Sequence, residues 1–262
     1  MPDSPLLQDF WSALATAPTA ALLLDYDGTL APFHIDPAEA RPYPGVEGLL
    51  DRIGRLSNDR LVIVSGRALD DLCPLLRLDT RPEFWGCHGR ERRLPDGRHS
   101  FTPLSDTAQQ ALAEAESWTA TVTALGGRVE RKPGSLAFHW RGLAPGHQRG
   151  LARDLEKRFA TLAQAGALLW HAFDGGIELR APGCDKGEAV QQVLDELGRD
   201  TCVAYLGDDH TDEDAFRALA GRGLRVLVRP KWRATAADLW LRPPEGLCAF
   251  LGQWADIRER VQ

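Results

Sequence analysis

Four groups of polar residues fall where the hydrophobic pattern puts the ends of apolar strands. Leu22-Leu23-Leu24 runs into Asp25-Tyr26-Asp27-Gly28-Thr29, and Arg60–Val64 runs into Ser65-Gly66-Arg67. Asp185-Lys186-Gly187 opens a helix, and a later strand runs into Gly207-Asp208-Asp209-His210-Thr211-Asp212-Glu213-Asp214. Carboxylates at the edge of an apolar core are costly unless a metal, a basic side chain or backbone N–H groups compensate them. A carboxylate nucleophile, a hydroxyl, a lysine and an acidic cluster are what phosphoryl transfer to an aspartate requires. A phosphate monoester is dianionic and repels an attacking carboxylate unless cations stand between them. Mg²⁺ suits that position because it takes oxygen ligands and bridges carboxylate to phosphate. Catalysis is then mostly positioning and charge stabilisation.

In this reading Asp25 is both nucleophile and metal ligand. Asp208, the backbone carbonyl of Asp27, and waters held by Asp209 or Asp212 complete the metal site. Asp27 is placed to protonate the leaving alcohol and then to deprotonate the hydrolytic water. Ser65 hydrogen-bonds the phosphate, and Lys186 neutralises phosphate and nucleophile together. Gly28 lets the backbone approach the phosphate, and Thr29 either donates to it or stabilises the turn. Each piece has a structural alternative: Asp27-Gly28 is a common turn, Ser65 a helix cap, Lys186 a solvated lysine, and the acidic run a helix N-terminus. Their joint occurrence, in order and at strand ends, favours the catalytic reading.

The elements that must position these residues follow from periodicity. Residues 4–17 form a helix with Leu6, Leu7, Phe10, Trp11 and Leu14 on one stripe. A strand at 20–25, a helix at 45–57, a strand at 60–64, a helix at 68–77 and a strand ending at Trp85-Gly86 follow, with a hairpin turn at Leu94–Arg98. From 186 the alternation returns: helix 186–198, strand 201–206, helix 212–220, strand 224–228 and a helical segment from 245. Near-continuous apolar strands alternating with helices indicate an α/β fold with a parallel sheet covered on both faces. Between the halves lies a different unit: helix 105–125, strands Arg128–Lys132 and Ser135–Arg141, helix 145–165, and strands Ala167–Phe173 and Gly176–Arg180. The expected organisation is a core of residues 1–103 and 183–262 interrupted by an α+β cap of residues 104–182. In open α/β sheets the site lies outside the carboxyl ends of the strands, where the polar groups fall.

The chain has 262 residues, 44% of them hydrophobic, enough for one large core or two modest ones. A net charge of −6, with no stretch dominated by Lys and Arg, argues against nucleic acid or an anionic membrane as partner. An acidic protein that binds an anion must instead gather positive charge locally. The start, Met1-Pro2-Asp3-Ser4-Pro5, lacks the features of a secretory signal, and no apolar run reaches the length of a bilayer span. The five cysteines are scattered without Cys-x-x-Cys spacing and read as reduced thiols. A cytoplasmic monomer acting on a small molecule is expected.

These residues resemble the haloacid dehalogenase (HAD) superfamily of aspartate-nucleophile phosphatases. Asp25-Tyr-Asp27-Gly-Thr29 is similar to its first motif, Ser65 to its second, Lys186 to its third, and Gly207-Asp208-Asp209 with Asp212 to its fourth. The resemblance implies a HAD-like Rossmannoid core, with a cap of the type found in sugar phosphatases inserted between the second and third motifs. A narrower set resembles the trehalose-6-phosphate phosphatases: Val64–Arg67, Gly86-Cys87-His88-Gly89, Glu130-Arg131-Lys132, Ser135–Arg141, Gly176-Ile-Glu178-Leu-Arg180 and Gly207–Asp214. That resemblance implies Mg²⁺-dependent hydrolysis of trehalose 6-phosphate, with Glu130, Lys132 and Glu178 binding sugar hydroxyls and Arg67 and His88 near the substrate. The cap is expected to close over the disaccharide. Periodicity alone would make Glu130 and Lys132 the solvated side of a strand. Cys87, Trp140 and Arg90 depart from the family pattern. His139 reads as a hydrogen-bonded structural residue and His210 as a neighbour of the metal cluster, while the tryptophans read mostly as packing.

Overall fold

Strands whose side chains are apolar on both faces need cover on both faces, and this chain supplies it with helices. The computed structural model describes residues 4–34, 36–140, 142–164, 166–173 and 175–261. The chain divides into two compact units, Met1–Ser100 with Asp185–Gln262, and Phe101–Cys184. The first contains α1 (Pro5–Thr16), β1 (Ala20–Asp25), α2 (Val46–Gly54), β2 (Asp59–Val64), α3 (Leu69–Leu72), β3 (Glu83–Gly86), β4 (Glu91–Arg93) and β5 (His99–Phe101). The second contains α4 (Asp106–Glu116), α5 (Thr119–Ala124), β6 (Arg128–Lys132), β7 (Ser135–His139), α6 (Pro145–Gln164), β8 (Leu169–Phe173) and β9 (Gly176–Arg180). The chain then returns to the first unit with α7 (Lys186–Glu196), β10 (Cys202–Gly207), α8 (Asp212–Ala218), β11 (Leu224–Val228), β12 (Leu239–Leu241) and α9 (Glu245–Glu259).

The large sheet has the order β12-β11-β10-β1-β2-β3-β4-β5. It is parallel from β12 to β3, and β4 runs antiparallel to β3. Alternation of side chains along each strand splits the core in two. Leu22, Leu24, Ile63, Leu206 and Val226 pack with Trp11, Leu50, Leu251 and Trp254 on the side of α1, α2 and α9. Ala21, Leu23, Val62, Val64 and Val203 pack with Val190, Val193 and Phe216 of α7 and α8 on the other. The expected doubly covered parallel sheet is the one that forms. Because β1 is central, flanked by β2 and β10, three of the four polar strand ends lie side by side.

In the second unit the sheet order is β6-β7-β9-β8, antiparallel throughout. Leu136, Phe138, Ile177 and Leu179 turn to a core with Ala111 and Ala115 of α4 and Leu151, Leu155 and Phe159 of α6. The register Glu130–Ala137–Glu178–His171 runs across the opposite face.

Several expected elements are corrected. The helix at 68–77 is the single turn α3 followed by a 3₁₀ turn at Cys73–Leu75, because Pro74 has no N–H to continue the ladder. The helix at 105–125 is interrupted between α4 and α5, where the Ser117 hydroxyl donates to the Glu114 carbonyl at 2.6 Å and competes with the helical pattern. The strand expected to reach Arg141 ends at His139, and Arg141 lies outside the described residues. The edge strand β12 escaped the sequence reading because three residues carry too little periodicity to register. The cysteines are free. Among the described residues no helix is long and apolar enough to cross a membrane.

Candidate active site

β1 delivers Asp25 to its carboxyl end, 2% exposed. The Lys186 ammonium donates to its Oδ1 at 2.6 Å and the Thr29 hydroxyl to its Oδ2 at 3.0 Å. Thr29 thus orients the carboxylate. Lys186 is the first residue of α7, which the Asp185 side chain caps by accepting from the Glu188 N–H at 2.8 Å. The same ammonium donates to Asp212 Oδ1 at 2.8 Å, so one buried lysine spans two buried carboxylates. Carboxylate oxygens of Asp25, Asp208 and Asp212 come within 4.8 Å of one another.

Asp212 is fully buried and both its oxygens are taken by the protein. Oδ1 accepts from Lys186 and from the Tyr205 hydroxyl at 2.7 Å, and Oδ2 accepts from the Asp208 and Asp209 N–H groups, each at 2.9 Å. This carboxylate therefore organises the loop. Asp208 is different: it is 5% exposed, and among the described residues no donor is bonded to its carboxylate. Asp209 is exposed, outside the three-carboxylate cluster, as is His210. The Asp27 carboxylate also lies outside that cluster.

Three carboxylates facing one ammonium leave an excess of two negative charges in a buried space. Burial, reinforced by Asp212 and opposed by Lys186, raises the Asp25 pKa. Burial and the charges of Asp25 and Asp212 raise that of Asp208. Burial also works against Asp212, but the Lys186 charge, its hydrogen bond and that of Tyr205 outweigh it and hold the carboxyl ionised. A hard divalent cation meets both needs, oxygen donors and two positive charges. The backbone leaves room for the carboxylate: Gly28 sits at φ +86°, and a Cβ there would fall 2.2 Å from Asp208 Oδ2. The donor set fits a divalent metal held by Asp25 and Asp208, with Asp212 as their support.

Asp27 is gripped by Arg67, whose Nε and Nη2 donate to its two oxygens at 2.6 and 2.7 Å while Nη1 donates to the Pro37 carbonyl at 2.7 Å. The forked guanidinium occupies both Asp27 oxygens, so the fork must open before that carboxyl can meet another group. Ser65, 1% exposed at the end of β2, accepts the Arg67 N–H at 3.1 Å. His88 lies against it across Gly66, where a Cβ would stand 2.6 Å from the imidazole. Cys87 and His88 both occupy the left-handed region, at φ 49° and 56°. Strain of about 1–3 kcal/mol per such residue persists only where the surroundings fix it. Here the Cys87 N–H donates to the Arg67 carbonyl at 2.7 Å and the His88 N–H to the Ser65 carbonyl at 2.9 Å. Arg67, Ser65 and His88 are thereby locked to one another.

Sequence reasoning missed three residues of this site: Tyr205, Arg229 and Arg233. Tyr205 is a lone hydroxyl in an apolar strand, and the two arginines lie in the basic run Arg229-Pro-Lys231-Trp-Arg233 just beyond β11, the local positive charge an acidic anion-binding protein needs.

The second unit carries its own polar cluster on the sheet face opposite its helices. Glu178, 8% exposed, accepts from the Ser135 hydroxyl at 2.9 Å and from Lys132 at 3.3 Å, and Lys132 lies 3.5 Å from Glu130. His139 bonds Glu130 at 2.9 Å, which with Lys132 and Arg128 overcomes burial and lowers the Glu130 pKa to about 2. Glu130 and Lys132 are therefore not a freely solvated strand face but part of a connected network, in which His139 is the hydrogen-bonded member expected.

Comparison with known proteins bears on this arrangement. A trehalose-phosphate phosphatase from Mycobacterium marinum is 33% identical over 254 residues, covering 92% of this chain, and the chain spans 62% of that protein's length. The C-terminal domain of a trehalose-6-phosphate phosphatase from C. albicans has the same fold, with a TM-score of 0.75 at 24% identity over 95% of this chain and 96% of that one. A haloacid dehalogenase-like hydrolase from Bacteroides thetaiotaomicron shares the fold at 15% identity and a TM-score of 0.64, over 90% of this chain and 99% of that one. Residues 23–238, which begin within β1 and hold every site residue named above, match the family described as trehalose-phosphatase, and the chain belongs to that family.

Proposed function

We propose that this protein is a Mg²⁺-dependent phosphatase that hydrolyses trehalose 6-phosphate to trehalose and orthophosphate, acting as a cytoplasmic monomer. Residues 1–103 and 183–262 form its catalytic core and residues 104–182 its cap. The observation that carries the reading is the Asp25 carboxylate, oriented by Lys186 and Thr29 beside an Asp208 carboxylate with no bonded donor among the described residues.

When bound, the cation shields the carboxylates from the substrate's negative charge and withdraws charge from the phosphoryl group. Asp25 attacks phosphorus, and the bond from phosphorus to the sugar oxygen breaks. Asp27, released from Arg67 and protonated, gives its proton to the departing oxygen. The aspartyl phosphate is then hydrolysed: Asp27 takes a proton from water, the resulting hydroxide attacks phosphorus, and the bond to Asp25 breaks. Ser65 and Lys186 hold phosphoryl oxygens through both steps, with Gly28 allowing close approach. Arg67, once free of Asp27, and His88 stand at the substrate. Glu130, Lys132 and Glu178 bind sugar hydroxyls, since carboxylates accept and an ammonium donates to a hydroxyl-rich ligand.

The test is orthophosphate release from a panel of sugar phosphates with and without Mg²⁺, using the wild type and Asp25→Asn. Trehalose 6-phosphate should be the preferred substrate, activity should require the metal, and the folded Asp25→Asn variant should be inactive. Preference for a different sugar phosphate, or appreciable turnover by Asp25→Asn, would refute the assignment.

A further inference from the structure

The peptide unit joining Asp208 to Asp209 is held at both ends. Its N–H donates to Asp212 Oδ2 at 2.9 Å, and its carbonyl accepts from Arg233 Nε at 3.2 Å and Arg229 Nη1 at 3.4 Å. Arg233 Nη2 reaches the next carbonyl, that of Asp209, at 2.7 Å. Arg233 is itself anchored, because Nη1 pairs with Glu213 and donates to its neighbour's carbonyl, Ala234 O, at 2.9 Å. Glu213 is fixed in turn by the Thr235 hydroxyl and the Ala236 N–H, each at 2.8 Å. Side-chain exposures of 12% for Arg233 and 11% for Glu213 place this pair mostly out of water.

We propose that Arg233, resting on the phosphatase reading above, is a positioning residue that fixes the Asp208–Asp209 peptide and thereby sets Asp208 for metal binding. The guanidinium polarises the peptide from its carbonyl side while Asp212, tied to Lys186, polarises it from the N–H side, and hydrogen bonds aligned in series strengthen one another. Two successive carbonyls gripped by one rigid planar fork cannot rotate independently, so the Asp208 side chain leaves the backbone in one direction. Supporting residues of this kind are worth about 10–100-fold in metal affinity. Lysine is not equivalent, because an ammonium is a point charge and cannot match two carbonyls in one plane.

The experiment measures Mg²⁺ binding to the EDTA-stripped protein by titration calorimetry, alongside the Mg²⁺ dependence of orthophosphate release. Arg233→Ala should weaken Mg²⁺ binding about 10-fold or more and raise the Mg²⁺ needed for half-activation to match, while KM for trehalose 6-phosphate at saturating Mg²⁺ stays near wild type. Arg233→Lys keeps the charge beside Glu213, so its metal-free urea midpoint should stay near wild type while Mg²⁺ binding remains weakened. If Arg233→Ala does not fold, Arg233→Lys decides alone. Wild-type Mg²⁺ affinity in a folded Arg233→Lys overturns the inference and leaves the phosphatase reading intact. A wild-type protein that neither binds Mg²⁺ nor releases orthophosphate overturns both.

Discussion

Asp208→Asn removes a charge that the metal-free protein holds without a bonded donor among the described residues, and its consequence can be worked from geometry. One Asp208 oxygen lies within 4.8 Å of a carboxylate oxygen of Asp25 and of one of Asp212. At an effective dielectric constant of about 20, each such repulsion is about 3 kcal/mol. The Lys186 charge offsets part of this, so about 3 kcal/mol of net repulsion remains in the fully ionised, metal-free state. Burial first, then Asp25 and Asp212, push the Asp208 pKa up to about 9. A raised folded-state value means the favourable contribution is complete below the unfolded value of about 4 and is lost as pH climbs through the folded value. Metal-free Asp208→Asn should therefore match wild type near pH 4 and exceed it by at least about 3 kcal/mol near pH 8, roughly 6 °C or more in Tm. Added Mg²⁺ should narrow the gap, because wild type gains RT ln(1 + [Mg²⁺]/Kd), about 2.7 kcal/mol at one hundred times Kd, and the variant gains little. Thermal denaturation with EDTA or Mg²⁺ across this pH range reads all of it. A variant less stable than wild type in EDTA near pH 8, or one that keeps the wild-type Mg²⁺ increment, would refute the charge argument.

Two further predictions rest on the same structure. Lys186→Met leaves Asp25 and Asp212 buried without their shared cation and should cost the metal-free protein about 3–5 kcal/mol, measured by urea denaturation at neutral pH; a loss under about 1 kcal/mol would contradict the spanning role of this lysine. Glu178→Ala should lower kcat/KM for trehalose 6-phosphate about 10–100-fold, the worth of a charged hydrogen bond, while an aryl phosphate that lacks the sugar is hydrolysed nearly as before. Equal losses on both substrates would remove Glu178 from sugar recognition.

The amino-acid sequence alone determined the strands of the parallel sheet and the residues at their ends, because alternation buried on two faces is a local property. Leu22–Leu24 into Asp25 and Tyr205–Gly207 into Asp208 are readable without any partner. Local reasoning failed where a single residue interrupts a pattern, at Pro74 and at Ser117, and where an element is as short as β12. Convergence was decided only in three dimensions. Lys186 meets Asp25 across 161 residues because α7 packs on a sheet whose order places β1 between β2 and β10. Tertiary structure also separated carboxylates that look alike in the sequence: Asp27 is engaged by Arg67, Asp212 is saturated by Lys186, Tyr205 and two N–H groups, and Asp208 has no bonded donor among the described residues. A carboxylate's role depends on which donors reach it, and those donors arrive from distant segments that only folding brings together.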